Sequence, residues 1–545
     1  MIKALRNVIV WTLVIAMGAI MGVSAQQTAP APQGPTAPAA PLPGIGAQQA
    51  PTIDRYIVGQ AKPPVLPGTQ MQDLTLEQAI QLALDKNIDL KVARINPLIQ
   101  DYNLVSARAV FKPVLTASIN QNHNSSQSTN ILDGVTTNLV GQTQSYQTAL
   151  NQQLPWFGSN LGLSFNNSRA TTNSLNTTRN PNYQGSLRVN GGLPLLANFK
   201  IDNNRNALRT QVVQRQVTDL QLTSTIENTK AQVRTGYWNL KATIEAIEIQ
   251  RRSLDLAKRS LTDSQTRVEI GTLAPIDTTQ FETQVANAEQ GLLAAEIAWR
   301  NQELTFKRLL VSGPDDDLYK LTLNPLDTPG YTQQNPDIPA AVQAAMANRT
   351  DIDIARKNLQ VGKLNLEVTK NNTLPGLNLT GSYQLSGVGG PQFNRGAIIA
   401  DGGYWDALRS IGGFDAPTWI VGATFNYPIG MASAKAALAR AELQLQQGET
   451  NLKSTELAIS TQVTQAGLNV QNTYLQFLAA RKTREAREKN ADAVQTRFDV
   501  GMATNFEVVT AQQDLTSSRL NELQSILRYI NAVSEFDRVQ KVGGS

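Results

Sequence analysis

Cysteine is missing altogether, and histidine occurs once, at His123. The first absence excludes disulfides, iron–sulfur clusters, thiolate zinc sites, a cysteine nucleophile and a lipid-modified N-terminal cysteine. The second excludes a multi-histidine metal site and argues against a histidine-based triad. Aromatic residues are only 6% of the chain, too few for platforms on which bases stack. A formal net charge of +5 is slight for 545 residues and gives no reason to expect a nucleic-acid partner. No catalytic residue, metal ligand set or cofactor is expected. The length implies several globular domains or one large elongated one.

Long apolar runs are also scarce. One stands at the start, Val8–Ile20, behind Lys3 and Arg6 and ahead of the small residues Val23-Ser24-Ala25. This is the pattern of a secretory signal peptide over 1–25, cleaved near Ala25. No other stretch reaches the roughly 20 apolar residues of a transmembrane helix. A place in a membrane would therefore require a β-barrel. Residues 26–72 are rich in Pro, Ala and Gln and read as an extended linker, with folded structure expected from near Asp73.

What is present is one long unit used twice. Ala79–Arg94 lies over Ala341–Arg356 at an offset of 262, with Asp89 on Asp351 and Arg94 on Arg356. At the same offset Pro113 lies over Pro375, each opening a strand-like stretch. At an offset of 230, Arg267–Gly271 lies over Arg497–Gly501, and Asp277 over Glu507. The change in offset places 32 extra residues in the strand region of the first copy. The first repeat spans 73–312, a connector spans 313–336, the second repeat spans 337–541, and 542–545 form a tail. Each repeat reads as helix, strands, very long helix, break, helix. Helices are predicted at about 75–111, 202–270 and 275–311, then about 338–373, 432–500 and 503–541. Ile226, Val233, Leu240, Ile247, Leu254 and Leu261 keep a strict seven-residue spacing, as do Leu438, Leu445, Leu452 and Ile459. Such a repeat imposes a left-handed supercoil. The companion column is small and polar: Thr229, Gly236, Thr243, Gln250 and Ala257. That mixture fits a thin-walled helical barrel with one face in water; the heptads alone fit an ordinary soluble bundle equally well.

Between the helices the pattern alternates with period two. Leu115, Ala117 and Ile119 share one face, as do Leu377, Leu379, Tyr383 and Leu385, and also Trp419, Val421, Ala423 and Phe425. The stretches have the length of transmembrane β-strands, and aromatics near their ends (Tyr146, Trp156, Trp419, Tyr427) suit an interfacial girdle. A soluble sandwich with one buried face would alternate in the same way. The loops 125–143, 169–182 and 387–416 are polar or Gly-rich. His123 sits among polar neighbours with no chemistry expected, and Asp315–Asp317 reads as a solvated turn.

These features together resemble the TolC-type outer membrane efflux proteins. The resemblance rests on Leu76–Ile80 with Asn87 and Asp89, the strand entries Pro113 and Pro375, Pro428–Gly430 before Ala434–Leu438, and the pair Ile270-Gly271 and Val500-Gly501 with Asp277 and Glu507. It covers about 73–541. It implies an α+β membrane protein, a homotrimer with a twelve-stranded outer-membrane β-barrel continued by a long periplasmic α-helical coiled-coil barrel. It also implies partners: a periplasmic adaptor, an inner-membrane pump and outer-membrane lipid. The function implied is an exit duct of an efflux or type I secretion system. A periplasmic coiled-coil scaffold or adaptor without a barrel is the alternative.

One departure stands out. The first copy offers four strand-like stretches (114–121, 144–154, 160–168 and 184–193) where the family has two. The expectation is a four-strand contribution, with 144–168 as a hairpin outside the membrane; six strands per chain is the other arrangement. The resemblance also suggests site residues. Glu507 falls on the first of two aspartates that line the periplasmic aperture, Thr510 on the second, and Asp277 is the repeat partner of Glu507. A ring of carboxylates there would favour cations; a carboxylate at a helix N-terminus would also be favourable for its own sake. The hairpin tips with Arg267 and Gly271, and with Arg497 and Gly501, are implied as the adaptor-docking surface. Glycine suits both tips because it accepts a positive φ where the chain reverses.

Overall fold

The computed structural model describes residues 58–64, 70–129, 131–134, 138–394 and 397–541. The expected signal peptide, most of the linker and the tail lie outside them. In chain order the elements of the first copy are β1 (Met71–Leu74), α1 (Leu76–Lys86), α2 (Ile88–Ala109), β2 (Val114–Gln127), β3 (Asn138–Gln153), β4 (Asn160–Thr172), β5 (Asn182–Pro194), α3 (Asn203–Glu269) and α4 (Thr278–Leu310). A short α5 (Asp317–Lys320) and β6 (Thr322–Pro325) follow. The second copy has α6 (Ile338–Asn348), α7 (Thr350–Asn371), β7 (Gly376–Gly389), β8 (Gln392–Asn394), β9 (Ala397–Ala400), α8 (Tyr404–Gly412), β10 (Pro417–Asn426), α9 (Ala432–Asp499) and α10 (Asn505–Lys541).

Each opening helix is broken in two at the same repeat position, Asn87 in one copy and Arg349 in the other. Asn87 ends α1 and starts α2: its Oδ1 accepts from Leu90 N at 2.9 Å, while its Nδ2 donates to the Leu309 carbonyl. Arg349 is buried and donates to Gln462 and Asp351. Thr75 and Gln78 close a reciprocal capping box at the start of α1.

The helix α3 runs 67 residues, about 100 Å at 1.5 Å per residue. Of its heptad column, Val233, Leu240, Ile247 and Leu254 are buried. Gly236 lets the fully buried Phe306 approach, since a Cβ there would lie 2.8 Å from the ring. The core of the first copy gathers Tyr237, Ile244, Trp299, Phe306 and Leu310 around Ala79 and Ala83 of α1. That of the second gathers Ile459, Val463, Val470, Tyr529 and Phe536 around Ala341 and Ala345. Between copies, α3 and α10 meet through small polar side chains: Ser253 with Thr516 at 3.0 Å, and Gln512 Nε2 donating to Ser260 Oγ at 2.9 Å. Of the companion column, Gly236 and Ala257 pack against apolar side chains, and the polar contacts to α10 come from Ser253 and Ser260 outside it.

Part of the expected linker and connector is packed. β1 pairs in parallel with β6, whose four residues are all buried. Ala61 is buried, and the Glu245 carboxylate accepts from Gly59 N at 2.9 Å and Ala61 N at 3.1 Å. The Asp315–Asp317 turn is also not simply solvated. Asp316 caps α5, and its carboxylate lies 3.0 Å from Lys86 Nζ.

The strands correct the four-strand expectation. All six, β10-β7-β5-β4-β3-β2, pair antiparallel in one continuous sheet. The stretch 144–168 is not an outlying hairpin: β3 pairs along its length with both β2 and β4. The extra residues have the same alternation as the rest of the sheet, so they extend it. No described helix is long and apolar enough to cross a membrane.

Candidate channel wall and periplasmic tips

The register aligns one apolar face across all six strands. Leu115 is opposite Leu150, Leu150 opposite Leu163, Leu163 opposite Val189, Val189 opposite Tyr383, and Tyr383 opposite Trp419. Most of these side chains are exposed, including Leu115, Leu163, Val189, Trp419 and Val421. A water-facing sheet would have to leave this whole band unburied, whereas a lipid-facing one gains from it. The other face is polar: Gln147, Asn166, Ser168, Gln184, Ser186 and Gln384 line a hollow on it. The turn between β3 and β4 carries Trp156 and Phe157 outward at the helical end of the sheet, and Phe157 stacks on Phe199 with ring centroids 4.8 Å apart. The sheet's two outer strands, β2 and β10, each have one unpaired edge, which lipid does not tolerate.

At the far end of the long helices the two hairpin tips have one backbone design. Gly271 and Gly501 both have φ +77°, and nothing lies within 4 Å of where a Cβ would sit. Thr272 N bonds back to the Arg267 carbonyl and Gly271 N to that of Val268; Met502 and Gly501 repeat the pair on Arg497 and Phe498. This is a Schellman end, in which the two bonds satisfy carbonyls the helix leaves open.

The side chains on that shared backbone differ. Arg267 reaches across to the other tip. It donates to the Phe498 carbonyl at 3.2 Å and to Asp499 Oδ1 at 3.1 Å, with its guanidinium 4.6 Å from the Phe498 ring centroid. Arg497 stays within its own hairpin, 3.3 Å from Glu507. Glu507 accepts from Thr504 N at 2.7 Å and Thr504 Oγ1 at 3.1 Å, while Thr504 Oγ1 accepts from Glu507 N. The Thr504 amide, then its hydroxyl and Arg497, hold the Glu507 carboxyl below the usual carboxylate range. Asp277 makes no equivalent side-chain cap; its carbonyl accepts from Asn505 Nδ2. Thr510 lies one turn along α10 and is half-buried. Beneath the tips Phe281, Phe498, Val508 and Leu515 form a local apolar core. Among the described residues no group of acidic or histidine side chains could hold a metal.

A family model described as outer membrane efflux protein matches residues 143–311 and 341–538, one stretch on each copy. The chain belongs to the outer membrane efflux protein family. It is 22% identical over 470 residues to the outer membrane efflux protein BepC of Brucella suis biovar 1 (strain 1330), covering 85% of this chain and 84% of that one. Among solved structures, the Campylobacter jejuni CmeC outer membrane channel superposes with a TM-score of 0.62 at 16% identity, covering 86% of each chain. The open state of the Neisseria gonorrhoeae MtrE outer membrane channel gives 0.58 at 17% identity, covering 92% of this chain and 98% of that one. The fold is thus the expected one: a duplicated unit whose strands build an outer-membrane β-barrel and whose long helices continue it into the periplasm. The chain is an outer-membrane efflux channel, and the periplasmic scaffold or adaptor is set aside.

Beyond strand membership and the two helix breaks, three features escaped the sequence reading. One is the clip of residues 59–61 on Glu245, which no pattern announces. The second is the short parallel pair β1–β6. The third is α8 with the β8–β9 hairpin, inside a segment read as loop. For α8 a signal existed: Tyr404, Leu408 and Ile411 at helical spacing, following glycines at 387 and 389.

Proposed function

We propose that three copies of this chain close one barrel through their β2 and β10 edges. With six strands from each, that barrel has eighteen strands rather than twelve. The observation that carries this reading is the single fully paired sheet with one apolar face, one polar face and two open edges. Barrel diameter grows with strand number, so the outer mouth is wider than a twelve-stranded one. The long helices form a tube across the periplasm, and cargo passes without chemistry, which the lack of cysteine and the single histidine suit. The tube docks a periplasmic adaptor at the tips around Arg267, Gly271, Arg497 and Gly501, and an inner-membrane pump drives it. Glu507, Asp277 and Thr510 sit at the periplasmic mouth. Glu507 has a structural task there already, capping α10. Its half-exposed carboxylate still adds three negative charges to the aperture of a trimer, moderated by Arg497.

The test is fractionation followed by conductance. Heat-modifiable, SDS-resistant trimers in the outer-membrane fraction that form pores in planar bilayers support the reading. Recovery as soluble periplasmic protein without pores overturns it.

A further inference from the structure

The segment between β7 and β10 does not hang free above the barrel. Helix α8 lies flat against the sheet at the end remote from the long helices, over β7 and β5. Three glycines make the seat. A Cβ on Gly387 would fall 1.9 Å from the Ala407 carbonyl oxygen, one on Gly389 would fall 2.1 Å from that of Gly403, and one on Gly185 would fall 2.9 Å from Ile411 Cδ1. Ala407 and Ile411 are buried in the contact, and Tyr404 meets Tyr183 edge-on at 6.0 Å.

The face of the sheet that α8 uses follows from parity. Gly387 and Gly389 alternate in step with Tyr383 and Leu385, and Gly185 with Leu187 and Val189. These are the apolar positions, so α8 sits on the outside of the barrel and not in the lumen. Its height follows from the register. The Leu187–Leu385 pair, at the top of the apolar band, lies just below it, and polar loops begin just above. Burial of one side of α8 leaves the other side outward, with Trp405 75% exposed, and Phe414 beyond the helix exposed too. In β9, Ile398 and Ile399 are likewise exposed. A neighbouring copy closing on β10 would bring the upper part of β2, whose positions on this face are Gln121, His123 and Ser125. Those offer nothing apolar to cover Trp405.

We propose that α8 is a lipid-surface anchor, with Trp405 and Phe414 seated at the headgroup–acyl boundary of the outer leaflet. The inference rests on the reading of the sheet as a membrane barrel. Its chemistry is that of an interfacial amphipathic helix: an aromatic ring between water and hydrocarbon, continuous with a lipid-facing band. Here the anchor is carried on the barrel wall itself and fixes how deep the barrel sits at its outer end.

Because the chain has no cysteine, a single fluorophore can be placed cleanly on the full-length protein in vesicles of phospholipid carrying a nitroxide quencher at a set depth. Trp405→Cys reports the anchor, Val421→Cys the band and Asn176→Cys an outer loop. At position 405, a quencher near the glycerol end should quench severalfold more than one near the bilayer centre, and a water-soluble quencher should act severalfold less than at 176. Position 421 should respond to the deep quencher. If 405 behaves like 176, or is shielded from lipid and water alike, the anchor is refuted while lipid contact at 421 still upholds the barrel. If 421 also fails to meet lipid, the membrane reading fails with it.

Discussion

Arg267→Ala should loosen the periplasmic end without disturbing the barrel. Arg267 is the side chain that joins one tip to the other, through Asp499 at 3.1 Å, the Phe498 carbonyl at 3.2 Å and the Phe498 ring. A partly exposed ion pair contributes about 0.2–1 kcal/mol and an exposed cation–π contact about 0.5–1 kcal/mol. Together with the hydrogen bond, at about 0.5–1.5 kcal/mol, the loss comes to about 1–3.5 kcal/mol, or a roughly 5- to 350-fold change in a local opening equilibrium. Hydrogen exchange is the assay. Amides near Ile270–Thr272 and Val500–Met502 should exchange faster by that factor, while those of β3, β4 and the α3 core around Leu240 stay protected. Asp499→Asn should produce part of the same effect, and the double variant less than the sum, because the pair acts as a unit. Arg497→Ala should loosen only its own hairpin, since its partner is Glu507. Unchanged exchange at both tips in Arg267→Ala would refute the cross-tip tie, and a uniform rise over the whole chain would show that the side chain serves global folding instead.

Four further outcomes are expected. Glu507→Gln should lower cation selectivity in planar-bilayer conductance, and unchanged selectivity would remove Glu507 from the aperture. The folded-state pKa of Glu507 is depressed, so its capping contribution is present above its unfolded value near 4.5 and is lost as pH falls through the lower folded value; exchange at Thr504–Val508 should rise in that acid window in the wild type and be flat in the Gln variant. Phe306→Ala removes a fully buried ring beside Gly236 and should cost about 3–5 kcal/mol, read as a lower temperature for loss of the folded trimer. Gly501→Trp meets open space but forces φ +77° on a side chain that resists it; efflux should fall while trimers still form, and normal efflux would take the tip out of the docking surface.

The duplication was legible because it is written at constant offsets, and the two tips bear it out with identical backbone. The heptad core was legible because Val233, Leu240 and Ile247 must recur with the helix. The strand faces were legible because side chains alternate across a pleat. Strand membership was not. The stretch 144–168 alternates as well as any other, but whether a hairpin joins a sheet depends on edges that are not local in sequence. Helix boundaries at Asn87 and Arg349 were missed because each break is only one residue long. The family resemblance placed Glu507 at an aperture; what it did not provide was that Thr504 three residues earlier already uses the carboxylate. The Glu245 clip joins residues 184 apart or more, a pairing that only the folded chain reveals.

Electron cryomicroscopy of the assembly extracted from the outer membrane would count the strands that each copy gives to the barrel. Three copies should surround one axis, with an eighteen-stranded barrel in which β2 of each copy lies beside β10 of the next, and a hollow continuous with a helical tube. A barrel with four strands from each copy, the β3–β4 hairpin lying outside it, or a closed particle with no continuous hollow would contradict this arrangement.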